Sequence, residues 1–85
     1  MNPGLTILIE KDGHASVMVN HNGHVWSKTY ENISDCIQDA IEARLIHADA
    51  AEAMLRDKKG FVGAPLQYYP TALKSCGFKE FPVLD

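Results

Sequence analysis

Four histidines, His14, His21, His24 and His47, are the side chains in this chain best suited to chemistry near neutral pH. His21 and His24 flank the Asn22-Gly23 pair. In a two-residue hairpin turn they face each other across its mouth, and their ring nitrogens reach toward one point. Two ligands do not make a zinc site, which needs at least three. His14 belongs to a different turn, at the opposite end of a meander, and does not join them. The expectation is therefore solvated turn histidines with no metal, and His21 and His24 as the only candidates should one bind.

Arg44 is the second unusual residue. On an ideal continuous helix it falls inside the apolar stripe, between Ile37 and Ala48. An arginine is rarely buried without a carboxylate, so it escapes at an edge, contacts another chain or partner, or binds a catalytic anion. Cys36 falls on the same stripe, where a thiol acts as a small hydrophobe. Both it and Cys76 are expected to be reduced, in a cytoplasmic setting. No nucleophile elbow, phosphate loop or CxxC motif is present. Ser16, Ser27 and Ser34 lie on strands or in a first helical turn. Asp35, Asp39 and Glu42 fall on the polar helix face, where charges are ordinarily solvated. The residues give little reason to expect catalysis.

The elements that must position these residues follow from one change of period. Up to Tyr30 apolar residues alternate as in strands, and from Ile33 they recur every three or four residues as in a helix. Lys11-Asp12-Gly13 and His21-Asn22-Gly23 divide the first part into three runs, Leu5 to Ile9, Ala15 to Val19 and Val25 to Tyr30. A three-residue first turn with Gly13 left-handed pairs Ile7 with Val17 and Leu5 with Val19. A two-residue Asn22-Gly23 turn sets Val19 opposite Trp26 and Ala15 opposite Tyr30. One face then carries Leu5, Ile7, Ile9, Ala15, Val17, Val19, Trp26 and Tyr30, with Lys28 snorkelling to its edge. It is the face to bury under the helix, with Trp26 beneath.

Asn32 is suited to cap that helix, with Asp35 returning the bond. The stripe continues through Ala51, Met54 and Leu55, and Gly60 supplies a stop. Unbroken, such a helix is roughly 40 Å long at 1.5 Å per residue, more than three strands cover. Either it projects as one long helix or it breaks near His47, with Asp49 and Glu52 as a second cap pair. The segment from Phe61 holds three of the four prolines. Pro70 opens a short helix through Cys76, ended by Gly77, and Phe81 to Leu84 form a possible edge strand. The fold class is α+β, in a single domain over residues 1–85: a three-stranded antiparallel meander packed by one long or broken helix, with a Pro-punctuated C-terminal tail.

A formal charge of −3 and a single interrupted basic cluster (Arg56, Lys58, Lys59) make a nucleic-acid partner unexpected. No stretch has the roughly 20 apolar residues of a membrane span, and the first residues lack a signal-peptide layout.

The segment from Thr6 to Leu45 resembles the N-terminal half of HicB-type antitoxins. It has a first strand ending in charge and glycine, Ile7-Leu8-Ile9-Glu10-Lys11-Asp12-Gly13, two further strands, and a helix entered through Thr29-Tyr30-Glu31-Asn32-Ile33. That family binds a small toxin RNase, dimerises, and often carries a DNA-binding segment. Here Asn20-His21-Asn22-Gly23 replaces the proline-rich linker of the family between strands two and three, and the C-terminal part shows no DNA-binding motif. The resemblance implies a regulator working through protein contacts.

The expected function is accordingly that of a small non-enzymatic binding protein, with no cofactor and a protein partner. The alternatives are a metal-assisted enzyme using the turn histidines and a nucleic-acid-binding regulator. Arg44, Met54, Leu55, Tyr68 and Tyr69 are the candidate partner-binding residues. Met54 and Leu55 suggest a homodimer through the second half of the helix, where Arg44 would meet Asp49 or Glu52 of the other copy.

Overall fold

The computed structural model describes residues 3–82. Three long strands, β1 (Gly4–Ile9), β2 (Ala15–His21) and β3 (His24–Tyr30), form the expected meander. Two helices follow, α1 (Ile33–Glu42) and α2 (Ala48–Asp57), then a short strand β4 (Phe61–Gly63), a one-and-a-half-turn helix α3 (Pro70–Ser75) and a last strand β5 (Lys79–Pro82). The strands make one antiparallel sheet in the order β4-β1-β2-β3-β5.

The two turns set the register in the way their residues dictate. Gly13 has φ +95°, donates to the Glu10 carbonyl at 3.1 Å, and closes a three-residue loop. Asn22 and Gly23 have φ of +49° and +81°, the mirror-image turn that matches strand twist. Ile7 therefore lies opposite Val17, Leu5 opposite Val19, Val19 opposite Trp26 and Ala15 opposite Tyr30, as the turn residues predict. This inner face is the core. Leu5, Ile7, Val17 and Val19 are sealed off, and Trp26 is 6% exposed.

The cap of α1 also follows expectation. Asn32 Oδ1 accepts from the Asp35 backbone N–H at 2.9 Å, and Asn32 Nδ2 donates to the Asp35 carboxylate. The helix then breaks, although neither Gly nor Pro is present. Arg44 takes φ +61°, its N–H donates to the Ile41 carbonyl, and the Leu45 N–H donates to Ala40, which together cap the helix. Arg44 is thus not in an apolar stripe; it is an exposed turn residue, and Leu45 behind it is buried. Asp49 is not the second cap. His47 is, without a side-chain hydrogen bond, and Asp49 lies in the first turn of α2. Nor is Gly60 the stop of α2, which ends on Lys58 at φ +55°. Gly60 is needed for another reason, since a Cβ there would collide with the Ile7 carbonyl oxygen. The chain must pass that close so that Phe61 can pair with Ile7 in β4.

The break lets α2 fold back on the core. Ala51 and Met54 are 4% and 3% exposed. The loop before α3 is pinned to the break, because Leu66 and Gln67 donate their N–H groups to the Leu45 and Arg44 carbonyls at 3.0 and 3.2 Å. Of the apolar stretch expected to stand free, Ala51 and Met54 are therefore covered by the chain itself, so Met54 offers no surface to a partner, while Leu55 is 40% exposed. β5 begins at Lys79, two residues earlier than expected, with Pro82 at its end on the sheet edge; Val83 and Leu84 lie outside the described residues. Among the described residues no helix is long and apolar enough to cross a membrane.

Candidate functional site at the hairpin mouth

The second hairpin extends past the helices that cover the sheet, and its end forms one wall of a cleft. His21 is the last residue of β2 and His24 the first of β3, directly opposite each other. Both lie on the inner face, two residues beyond Val19 and before Trp26 respectively. The row of core residues continues there into an open depression of about 610 Å3. Its other wall is α3, which contributes Pro70, Thr71 and Lys74, and Tyr68 and Glu80 complete the lining.

The loop leading into α3 builds the floor. Trp26 Nε1 donates to the Tyr68 hydroxyl at 2.9 Å, which gives the buried indole its hydrogen-bond partner. The Tyr68 ring also packs on His21 at 4.3 Å between centroids, tilted by 45°. His21 Nε2 lies 3.3 Å from Asn22 Nδ2, and its Nδ1 is enclosed without a hydrogen-bond partner among the described residues. His24 turns the other way. Its Nδ1 meets the Glu80 carboxylate, joining β3 to the edge strand β5, where Glu80 sits opposite Trp26. Lys74 is exposed and has no carboxylate within salt-bridge distance among the described residues.

The two histidines therefore share the cleft but do not converge on a metal. One ring is held by Asn22 and Tyr68, the other by Glu80. Among the described residues, the one group of three ligating side chains close enough to share an ion is Asp39, Glu42 and Cys76, with their ligand atoms within 4.8 Å of each other. It contains no histidine, and it has a cation already. Lys28 Nζ lies 2.6 Å from Asp39 Oδ2 and donates also to the Cys76 carbonyl at 2.6 Å, while the Tyr30 hydroxyl donates to the same carboxylate oxygen at 2.8 Å. The ammonium stands over the Tyr30 ring, 4.9 Å from its centroid. Lys28 does not simply snorkel to water. It ties the sheet to the helical layer at two points.

This network disfavours thiol chemistry. Burial, reinforced by the Asp39 charge, pushes the Cys36 thiol up to about 11. Cys76 is raised as well, by burial and then by Asp39 and Glu42. Tyr30 is raised by burial and by its bond to Asp39. All three hold their protons at neutral pH, so neither sulfur is a ready nucleophile.

The candidate residues thus separate. His21, His24 and Tyr68 come together in the cleft. Tyr69 caps α3 and is 49% exposed, Leu55 is 40% exposed on α2, Arg44 is exposed on the break, and Met54 is buried. The sequence reading missed Lys74 and Glu80, which only the packing of the C-terminal segment brings to the cleft. It also missed the Lys28–Asp39 pair, for which there was a signal. Lys28 falls on the inner face, and Asp39 is three residues after buried Cys36, on the side of α1 that meets the sheet. Comparison with protein-family models, with curated proteins and with solved structures gives no match.

Proposed function

We propose that this protein is a small binding module that acts by holding a segment of another protein in the hairpin cleft. The observation that carries the reading is the make-up of that cleft. An aromatic floor of Trp26 and Tyr68 lies beside Lys74, an exposed cation with no carboxylate within salt-bridge distance among the described residues, in an open depression of about 610 Å3. Aromatic side chains with one apolar face and one hydrogen-bonded end are the usual anchors of protein contacts. The matching segment has an apolar side chain for the Tyr68 ring and a carboxylate for Lys74. Two further features favour binding over turnover. The cleft histidines are committed to Asn22, Tyr68 and Glu80, and the cysteines are held protonated. The resemblance of Thr6–Leu45 to antitoxins that occupy a toxin points to the same class of action.

The test is affinity capture from host extract with the wild-type chain and with Lys74→Glu, a change on an exposed position that leaves the fold intact. The reading expects a protein retained in near-stoichiometric amount by wild type and lost by at least tenfold from the variant. Identical capture by both chains, or loss of the same partner from Leu55→Glu instead, overturns it.

A further inference from the structure

The five strands have a second face, and among the described residues no helix packs on it. The outward-pointing residues form three cross-strand rows, the middle one running Val62, Thr6, Met18, Ser27, Lys79. Four large apolar side chains stand on this face, with Leu8 52%, Met18 48%, Val62 83% and Phe81 51% exposed. Such a group concentrated on one flat surface is what an interface looks like before it is covered.

Charge selects the occupant. The chain carries eleven acidic residues and a net charge of −3, yet among the described residues no carboxylate is on an outward-pointing strand position. Lys79, at one edge, is the only charged residue there among the described residues. Two copies of an acidic protein meet with least repulsion on this face, and a strongly charged partner finds nothing on it to pair with. Area sets the strength. The strands comprise 27 residues, the sum of 6, 7, 7, 3 and 4. At about 3.3 Å along and 4.8 Å across per residue they present roughly 430 Å2. Two such faces bury roughly 860 Å2, short of the roughly 1,000 Å2 of a stable interface, so the association is a weak one that forms only at high concentration.

We infer that this face is the interface of a homodimer in which two sheets pack against each other, and the symmetry follows from the strand order. β2 is the central strand and Met18 lies at the middle of its outer face, so a two-fold axis along β2 sets Met18 on Met18. It also sets the β4 edge, with Val62, over the β5 edge of the other copy, with Phe81 and the Lys79 stem. An axis across the strands would instead bring the two Lys79 ammonium groups together. The unbranched thioether of Met18 suits a contact with itself. The dimer leaves the inner-face cleft free, so it is independent of the binding proposed there.

Sedimentation equilibrium between 10 μM and 1 mM decides it, with wild type, Met18→Asp, Val62→Asp and Leu55→Asp. All three changes fall on exposed positions, and circular dichroism checks each fold. The inference expects wild type to move from 9.4 kDa toward twice that mass across the range, Met18→Asp and Val62→Asp to stay monomeric, and Leu55→Asp to behave as wild type. A wild-type monomer at 1 mM overturns it. So does a dimer that survives Val62→Asp, which holds the test should Met18→Asp fail to fold, or a dimer lost only with Leu55→Asp, which assigns the interface to α2.

Discussion

The same strands present two faces that differ in almost every respect. Ile7 and Leu8 are neighbours in β1, yet Ile7 is 2% exposed and Leu8 52%. The inner face is apolar along its whole middle, admits one cation and supplies that cation with a carboxylate, a carbonyl and an aromatic ring. The outer face mixes Met18, Val62 and Phe81 with Thr and Ser, and makes no ion pair among the described residues. What separates them is the helical layer. A strand side chain is worth its transfer energy only when something covers it, so the composition of one face reads as a core and that of the other as a surface.

The largest expected effect tests that division directly. Ile7→Ala removes packed atoms from a sealed position and is expected to cost about 2–5 kcal/mol in urea unfolding. Leu8→Ala is expected to change stability by no more than about 0.5 kcal/mol when measured at low micromolar concentration. Comparable losses at both sites would mean that something else covers the outer face in the free chain.

Much of this division was legible in the residues. The alternation, the left-handed Gly13 and the Asn22-Gly23 turn together determine which side chains are on which face, because a one-residue slip would invert all of them. Asn32 marked the helix start, and the turn placed His21 opposite His24. What was not legible is what tertiary packing decides. β4 is three residues long, too short for a period to show, and is recruited by its neighbour β1. A break near His47 was one of two alternatives, on the strength of Asp49 and Glu52, but the turn itself uses Arg44 in a conformation that glycine normally marks, so no letter fixed its place. The cleft needed Tyr68, Lys74 and Glu80, all from the segment whose return path local pattern does not specify.

The second expectation concerns the helical layer where it seals the inner face. Cys36 on α1 is wholly enclosed, and its thiol is raised from 9.0 to about 11. The folded state therefore prefers the protonated thiol more strongly than the unfolded chain does. The associated stability is complete below about pH 9 and is lost as the pH rises to about 11. Two pH units correspond to about 2–3 kcal/mol. Cys36→Ala is expected to remove that share of the alkaline loss, seen as a smaller difference between unfolding free energies at pH 8 and pH 11 under reducing conditions. Identical pH profiles would show that α1 does not seal the site.

The third expectation concerns Lys28, the one lysine or arginine on the inner face among the described residues. Asp39→Ala leaves the Lys28 ammonium and the Tyr30 hydroxyl without their shared acceptor. Lys28 keeps 31% of its side chain in water, which screens part of the loss. The cost is expected to be about 1–2 kcal/mol. Lys28→Met should cost less, because it removes the charge while keeping an apolar stem over the Tyr30 ring, and Asp39 retains the Tyr30 hydroxyl. The opposite order in chemical unfolding would mean that Lys28 helps by covering the sheet, and that its ion pair with Asp39 contributes little.

The smallest effect tests the hinge that lets α2 return to the inner face at all. Two helices end in the same pair of hydrogen bonds, α1 through Arg44 and Leu45, α3 through Gly77 and Phe78. Gly77 is at φ +89° and Arg44 at φ +61°. A side-chain-bearing residue in the left-handed region costs about 1–2 kcal/mol relative to glycine, part of which glycine loses again through its freer unfolded chain. Arg44→Gly is therefore expected to raise stability by about 0.5–1 kcal/mol, since the exposed Arg44 side chain makes no hydrogen bond or ion pair among the described residues. Gly77→Ala is expected to lower stability, both through its positive φ and because the new Cβ would press within 3.3 Å of Lys28 Nζ. Measured side by side by thermal unfolding, the two substitutions should move in opposite directions. If Arg44→Gly destabilises instead, the Arg44 side chain stabilises the break through a contact of its own, and the fold-back that covers the inner face depends on that residue's chemistry as well as on its backbone.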